Sequence, residues 1–374
     1  LLLFFKKEDF LSQSNSSFQV DRIVEFMSNR ADLRLALLLH ATCFFAVSGT
    51  AWAGQFTFTS LDVPGQSSSV VLGLNDRDEV VGTAATNGVS TNFAWAQGVF
   101  SQAPTATDGN DIGELTAISN RGWTVGAQSV TNYQDGAYSW RFGSATSQPL
   151  KEPRNWNVRP TGINSGNTVI GVALRTVNNN VHSTGYVAHG TKIDLVAPPN
   201  SEEGAWLTAI NDAGLIAGGH GGGPGTGFTY SNGVYSDVLP PGAVHSIIGF
   251  VSPAGVVGGY YIVKAFTEFG FTWDGSNYTT YLPPGTSSSS VIGVGPQGQV
   301  VGTSGRNEGP SFVFYNGKYY AINFPAAMAP NGVRSTMISA INARGTIVGT
   351  YFDEQYTLHA FIATCPPRHA PCTR

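Results

Sequence analysis

Charge is scarce in this chain. Asp, Glu, Lys and Arg make up 12% of its 374 residues, about half of the usual ~25%. With 46 glycines and 11% aromatics beside so few charges, short strands joined by tight turns are expected, with little surface helix. The formal net charge of −4 gives no basic footprint for nucleic acid or an anionic membrane. Catalytic signatures are missing as well. No serine stands in G-x-S-x-G, and His182, His189, His220, His245, His359 and His369 are scattered singly, without HExxH or His-x-His spacing. No metal site and no cofactor are therefore expected. The glycine run GHGGGPG (219–225) lacks the Lys-Ser/Thr and helix of a phosphate loop. The acidic run NDRDE (75–79) lacks the spacing and closing Glu of a calcium loop.

Cysteine is rarer still, at three residues. Cys43 lies inside MSNRADLRLALLLHATCFFAVSGTAWA (27–53), which has the parts of a secretory signal: Arg30 and Arg34, an apolar run from Leu35, and a small-x-small end at Ala51-Trp52-Ala53. The run is too short and too interrupted for a membrane span, so none is expected in the mature protein. Residues 1–26 precede Met27, contain no methionine and read as translated upstream sequence. Export leaves Cys365 and Cys372 in CPPRHAPC, an even and close pair expected to form a small disulfide loop in the tail, residues 367–374. A metal clip with His369 is the alternative and lacks a fourth ligand.

What the chain has in plenty is one repeated phrase. LNDRDEVVG (74–82), ISNRGWTVG (118–126), INSGNTVIG (163–171), INDAGLIAG (210–218), VSPAGVVGG (251–259), VGPQGQVVG (294–302) and INARGTIVG (341–349) begin 44, 45, 47, 41, 43 and 47 residues apart. A period in the forties without helical patterning indicates propeller blades. The fifth position is Gly, Asp or Asn, the types that tolerate positive φ, so each phrase reads as strand, tight turn, strand. An Asn or Asp near the turn's start can bond its own backbone. The ninth position is always glycine: Gly82, Gly126, Gly171, Gly218, Gly259, Gly302 and Gly349. A side chain there is expected to strike a neighbouring strand. A second phrase with alternating aromatics follows each copy, such as GFTWDGSNY or SFVFYNGKYY, and then a segment often closed by proline, giving four strands per blade.

The last copy ends after HAFIAT without a fourth strand, while QFTFTSLDVPG (55–65) reads as an orphan fourth strand with no repeat core before it. The expected fold is an all-β, seven-bladed propeller over 54–366, its ring closed by the N-terminal strand completing the C-terminal blade. The pairing of I-N-x-x-G-x-[IV]-V-G with His359-Ala360-Phe361 resembles the HAF-family extracellular repeat proteins of bacteria. The likeness covers about 56–363, with the HAF half degenerate in six copies. It implies a secreted bacterial protein and supplies no catalytic residues.

Function is expected in the variable loops opposite the repeated turns. Exposed aromatics beside amides and charges suit sugars and other polar ligands. Tyr133, Trp156, Arg159, Trp206, Arg306 and Tyr351 are the candidate binding residues, with both tryptophans equally able to pack between blades. The expected role is non-catalytic binding of a glycan or cell-surface component, extracellular or periplasmic, by a monomer. One alternative is a polysaccharide hydrolase or lyase, which needs two of Asp135, Glu202, Glu203, Glu308, Asp353 and Glu354 to converge. Those acids otherwise read as solvated loop charges. A purely structural or adhesive matrix protein is the third reading.

Overall fold

The computed structural model describes residues 56–102, 114–127, 137–144, 146–178, 180–190, 192–199, 201, 204–222, 225–263, 267–305 and 310–364. Within them, 28 strands form seven four-stranded antiparallel sheets. The seven copies of the repeated phrase supply the first hairpin of each sheet. First strands run Ser68–Leu74 in blade 1, Glu114–Ile118 in blade 2, Asn157–Ile163 in blade 3 and Ala205–Ile210 in blade 4. His245–Val251, Ser289–Val294 and Ser335–Ile341 begin blades 5, 6 and 7. Each first strand touches those of both neighbouring blades, so the seven form the wall of a central channel. The only helical turn among the described residues is Ala326–Met328, between blades 6 and 7.

The ring closes as the orphan ends of the sequence require. Thr57–Ser60 is the outer strand of blade 7, in the order Ser335–Ile341, Ile347–Phe352, Leu358–Thr364, Thr57–Ser60. Its register runs from Thr57 opposite Thr364 to Ser60 opposite Phe361. Phe58 anchors it, with ring centroids 5.7 Å from both Phe324 and Phe361, and Leu61 just beyond is fully buried. An edge strand that would otherwise be open is thereby covered.

The two repeated phrases depend on each other. Every ninth-position glycine lies directly opposite an aromatic residue of the third strand: Phe93, Tyr138, Tyr186, Phe228, Phe271, Phe312 and Phe361, in blade order. A Cβ on Gly349 would meet the Met337 carbonyl oxygen and lie 2.7 Å from the Phe361 ring. At Gly82, Gly218, Gly302 and Gly349 the aromatic ring thus occupies the space that the missing side chain leaves. Just before this point every first strand carries a bulge, for example between Pro160 and Gly162 and between Leu207 and Ala209. A bulge bends its strand and increases the local twist, and the hydroxyl of Thr161 there donates to the Leu207 carbonyl of the next blade, at 2.8 Å.

The turn residues link blades as well as strands. The fifth positions have positive φ, including Asp78 at 61° and Asn167 at 59°. At the second position, Asn342 Oδ1 accepts the N–H groups of Arg344 and Thr346, which caps its own turn. Its Nδ2 donates to the Asn75 carbonyl at 2.9 Å, joining blade 7 to blade 1. Asn75, Asn164 and Asn211 likewise donate to the carbonyls of Ser119, Asn211 and Ser252.

Candidate functional site

The face carrying the repeated turns is closed by its own hydrogen bonds. Asp76 accepts from the Ala343 N–H at 2.8 Å and from Asn120 Nδ2 at 2.7 Å. Asn120 also reaches Asp212 of blade 4 at 3.1 Å, across an intervening blade. Asp212 takes two further bonds from Ser165. Burial pushes the Asp212 carboxyl up, yet these bonds and the nearby Arg121 charge hold it below the ordinary carboxylate value. The run NDRDE is consumed in the same way: Asp78 receives Asn342 and Arg344, and Glu79 receives Asn75 and Arg77. Among the described residues, no group of three or more His, Cys, Asp or Glu side chains could hold a metal ion.

The opposite face carries the connections between second and third strands and between blades. There the structure brings three of the candidate residues onto blades 3 and 4. Arg159 stands opposite Val172, and Trp206 opposite Gly219. Each immediately precedes the residue paired with its blade's ninth-position glycine, so the two occupy one level on adjacent channel-wall strands. Both are half-buried. A Cβ on Gly219 would lie 2.5 Å from the Trp206 indole, and one on Gly225 2.9 Å. Bare glycine backbone under an indole explains these two positions of the GHGGGPG run. Trp156 packs beside the blade 2–blade 3 core that contains Val158 and Tyr186. The Arg175 guanidinium carbon sits 4.5 Å from its ring centroid.

Tyr351 requires a correction. The sequence suggests a variable-loop residue open to a ligand, but its strand runs from Ile347 to Phe352 and its side chain is fully buried. The ring is stacked between Phe324, at 4.2 Å and 13°, and His359, at 4.9 Å and 17°. It offers no face to a ligand. Its hydroxyl is buried without a hydrogen-bond partner. Burial, then the charges of Asp62 and Asp353, push its pKa up to about 12.

Asp353 departs from expectation too, since it is 1% exposed rather than a solvated loop charge. It caps its turn by accepting the N–H groups of Gln355 and Thr357, and it takes a third bond from Asn331 Nδ2. His359 lies between it and Asp62: Nδ1 is 2.8 Å from Asp62 Oδ1 and Nε2 is 3.4 Å from Asp353 Oδ2. With a carboxylate at each ring nitrogen, the doubly protonated imidazolium is the form that satisfies both. The hydrogen bond to Asp62 leads in raising the His359 pKa, against burial. Burial pushes Asp62 up, but bonds from His359 and Ser60 outweigh it and leave its pKa low. Asp353 follows the same pattern, with Asn331 and the turn N–H groups outweighing burial. Glu354, next along the chain, is exposed, so this acid pair shares no cleft.

Tyr133, Arg306, Asp135, Glu202, Glu203 and Glu308 lie outside the described residues, as do the Cys365–Cys372 pair and residues 1–53. Sequence reasoning passes over Asp62 and Arg175. Asp62 stands in LDVPG where other blade connections read VLPPG and YLPPG, and that substitution is the signal that could have found it.

No family model and no curated protein matches this chain, so the resemblance to HAF-family proteins rests on the motif alone. Solved structures do match. YCF48 bound to D1 peptide is similar at a TM-score of 0.51 and 12% identity, covering 84% of this chain and 97% of that one. YCF48 from Cyanidioschyzon merolae gives 0.51 and 8%, covering 83% and 99%. The Pyrococcus horikoshii acylaminoacyl peptidase gives 0.50 and 9%, covering 79% of this chain and 51% of that longer one. At such identities the likeness is one of fold: the β-propeller occurs both as nearly a whole chain and as part of a peptidase.

Proposed function

We propose that this protein is a non-catalytic binding module that works outside the cytoplasm and holds a polar, sugar-like ligand of a cell surface or matrix. The reading is carried by the difference between its two faces. One face spends its polar groups on hydrogen bonds between blades. The other presents Trp206 and Arg159 at one level on adjacent strands, with the Trp156–Arg175 pair beside them. Aromatic faces with charged and amide groups around them suit sugar rings, which stack through C–H faces and hydrogen-bond through hydroxyls. A propeller supplies a rigid base, so little ordering entropy is lost when a ligand docks. The repeat motif and the expected export signal support a location outside the cytoplasm.

The test is a glycan array with a cell-wall pulldown, run on the wild type and on Trp206→Ala. Binding that drops at least about tenfold in the variant, as loss of a stacked aromatic predicts, supports the reading. A wild type that binds no glycan and no wall fraction, or a variant that binds equally well, overturns it. A structural or matrix role is what the first of those failures would leave.

A further inference from the structure

Among the described residues, blade 3 differs from the other six in two ways that meet at one place. Its middle strands, Thr168–Val177 and Asn180–His189, have ten residues each, against five to eight in the corresponding hairpins elsewhere. The extra pairs, from Leu174–Ser183 to Val177–Asn180, prolong the hairpin on the loop side. Residues 175–178 are exposed.

The second difference is charge. In a chain of net charge −4, the stretch from 150 to 182 carries Lys151, Arg154, Arg159 and Arg175 against one acid, Glu152. Glu152 is turned to the protein, accepting the Ala137 N–H at 3.2 Å. Lys151, Arg154 and Arg175 are exposed, and His182 stands exposed directly across from Arg175. The loop bearing Lys151 is fixed from below, since the Tyr186 hydroxyl donates to the Lys151 carbonyl at 2.7 Å. Trp156 in turn holds the Arg175 guanidinium over its ring.

A guanidinium over an indole still has its planar fork of N–H donors to offer, since a cation–π contact uses the charge and not the donors. Its rotamers are restricted before any ligand arrives, so less entropy is lost when it forms a two-bond pair with a carboxylate. We infer that the loop-side rim of blade 3 is a site for carboxylate-bearing sugars, in which Arg175 on Trp156 takes the carboxylate and Lys151 and Arg154 add long-range attraction. This rests on the binding-module reading above and narrows its ligand from polar glycans to acidic ones. A linear uronate polymer fits best among such ligands, since it repeats a carboxylate beside each ring and lets the cationic loop and the stacked arginine act on successive sugars.

The experiment measures binding of polygalacturonate and of its methyl ester to the full chain by affinity electrophoresis. The two polymers share ring and linkage and differ in charge. The acid is expected to bind at least about tenfold more tightly than the ester, and Arg175→Gln to remove most of that preference, as expected for one charge-assisted pair. Arg175→Lys keeps the charge and loses the planar fork, so it should restore less than half of the lost binding free energy. A far-ultraviolet spectrum and melting curve matching wild type establish that each variant is folded. Equal binding of acid and ester overturns the inference while leaving the binding-module reading intact. Failure of both polymers together with an empty glycan array overturns both. Polyaspartate binding as tight as polygalacturonate, unchanged by Arg175→Gln, shows a nonspecific cationic surface and also overturns it.

Discussion

The loop face uses charge in opposite ways at its two ends. At the seam between blades 7 and 1, an imidazole is enclosed by two carboxylates, and the acid on one side is 1% exposed. On the rim of blade 3, several cations stand in solvent around one acid that is engaged elsewhere. Buried charges must be matched, because an unpartnered one costs several kcal/mol, roughly 3–5 by truncation. Exposed charges need no partner and contribute little to folding, about 0–1 kcal/mol even when paired. The same residue types therefore serve stability at the seam and remain available for recognition at the rim. This division predicts that changes at the seam alter folding, and that changes at the rim alter binding far more than folding.

The largest effect should come from Phe58→Ala. Phe58 is 6% exposed and touches the rings of Phe324 and Phe361, so it holds the strand that closes the circle. Removing a buried phenylalanine ring costs about 3–5 kcal/mol. Chemical denaturation should show a loss in that range. A loss below about 1 kcal/mol, the scale of an ordinary surface substitution, would mean that the ring does not depend on its closing strand.

A smaller effect is expected from pH, and its direction separates the ends of the face. His359 has a raised pKa, against 6.5 for a free imidazole. Its contribution to stability is therefore whole below 6.5 and is lost as pH rises through the raised value. Asp62 and Asp353 have lowered pKa values, so their contributions are present above 3.8 and fade as pH falls through the lowered values. The groups facing His359 are these two acids and the Tyr351 ring, whose hydroxyl titrates only near 12. Melting temperatures at about pH 5 and about pH 9 lie on either side of 6.5, where an unfolded imidazole titrates. Wild type should lose more melting temperature between them than His359→Gln does. Parallel behaviour of the two proteins would show that folding leaves the His359 pKa where it stands in the unfolded chain, against the carboxylate clamp.

The two ends also differ in how far the sequence foretells them. The repeated turns, the ninth-position glycines and the orphan fourth strand are legible because each answers a local backbone demand at fixed spacing. Asn342 is half legible: the cap on its own turn is local, but its bond to Asn75 spans the ring closure. The burial of Tyr351 is not legible at all. It depends on Phe324, contributed by the connection from blade 6, and on His359, which also reaches Asp62 at the far end of the chain. The Trp156–Arg175 pair is hidden for a similar reason, because an unusually long hairpin brings together residues that stand on different segments of blade 3.

Arg175→Ala is the substitution expected to change stability least. Its guanidinium is exposed, and a cation over an aromatic ring at such a site is worth about 0.5–1 kcal/mol. Trp156 keeps its packing against the blade 2–blade 3 core when that cover is removed, so no cavity opens beneath it. Denaturation should therefore register at most about 1 kcal/mol, the upper end of the cation–π range, well below the Phe58→Ala loss. A cost comparable to Phe58→Ala would place Arg175 in the framework of blade 3. The rim would then resemble the seam, with its charge committed to holding strands and unavailable to a ligand.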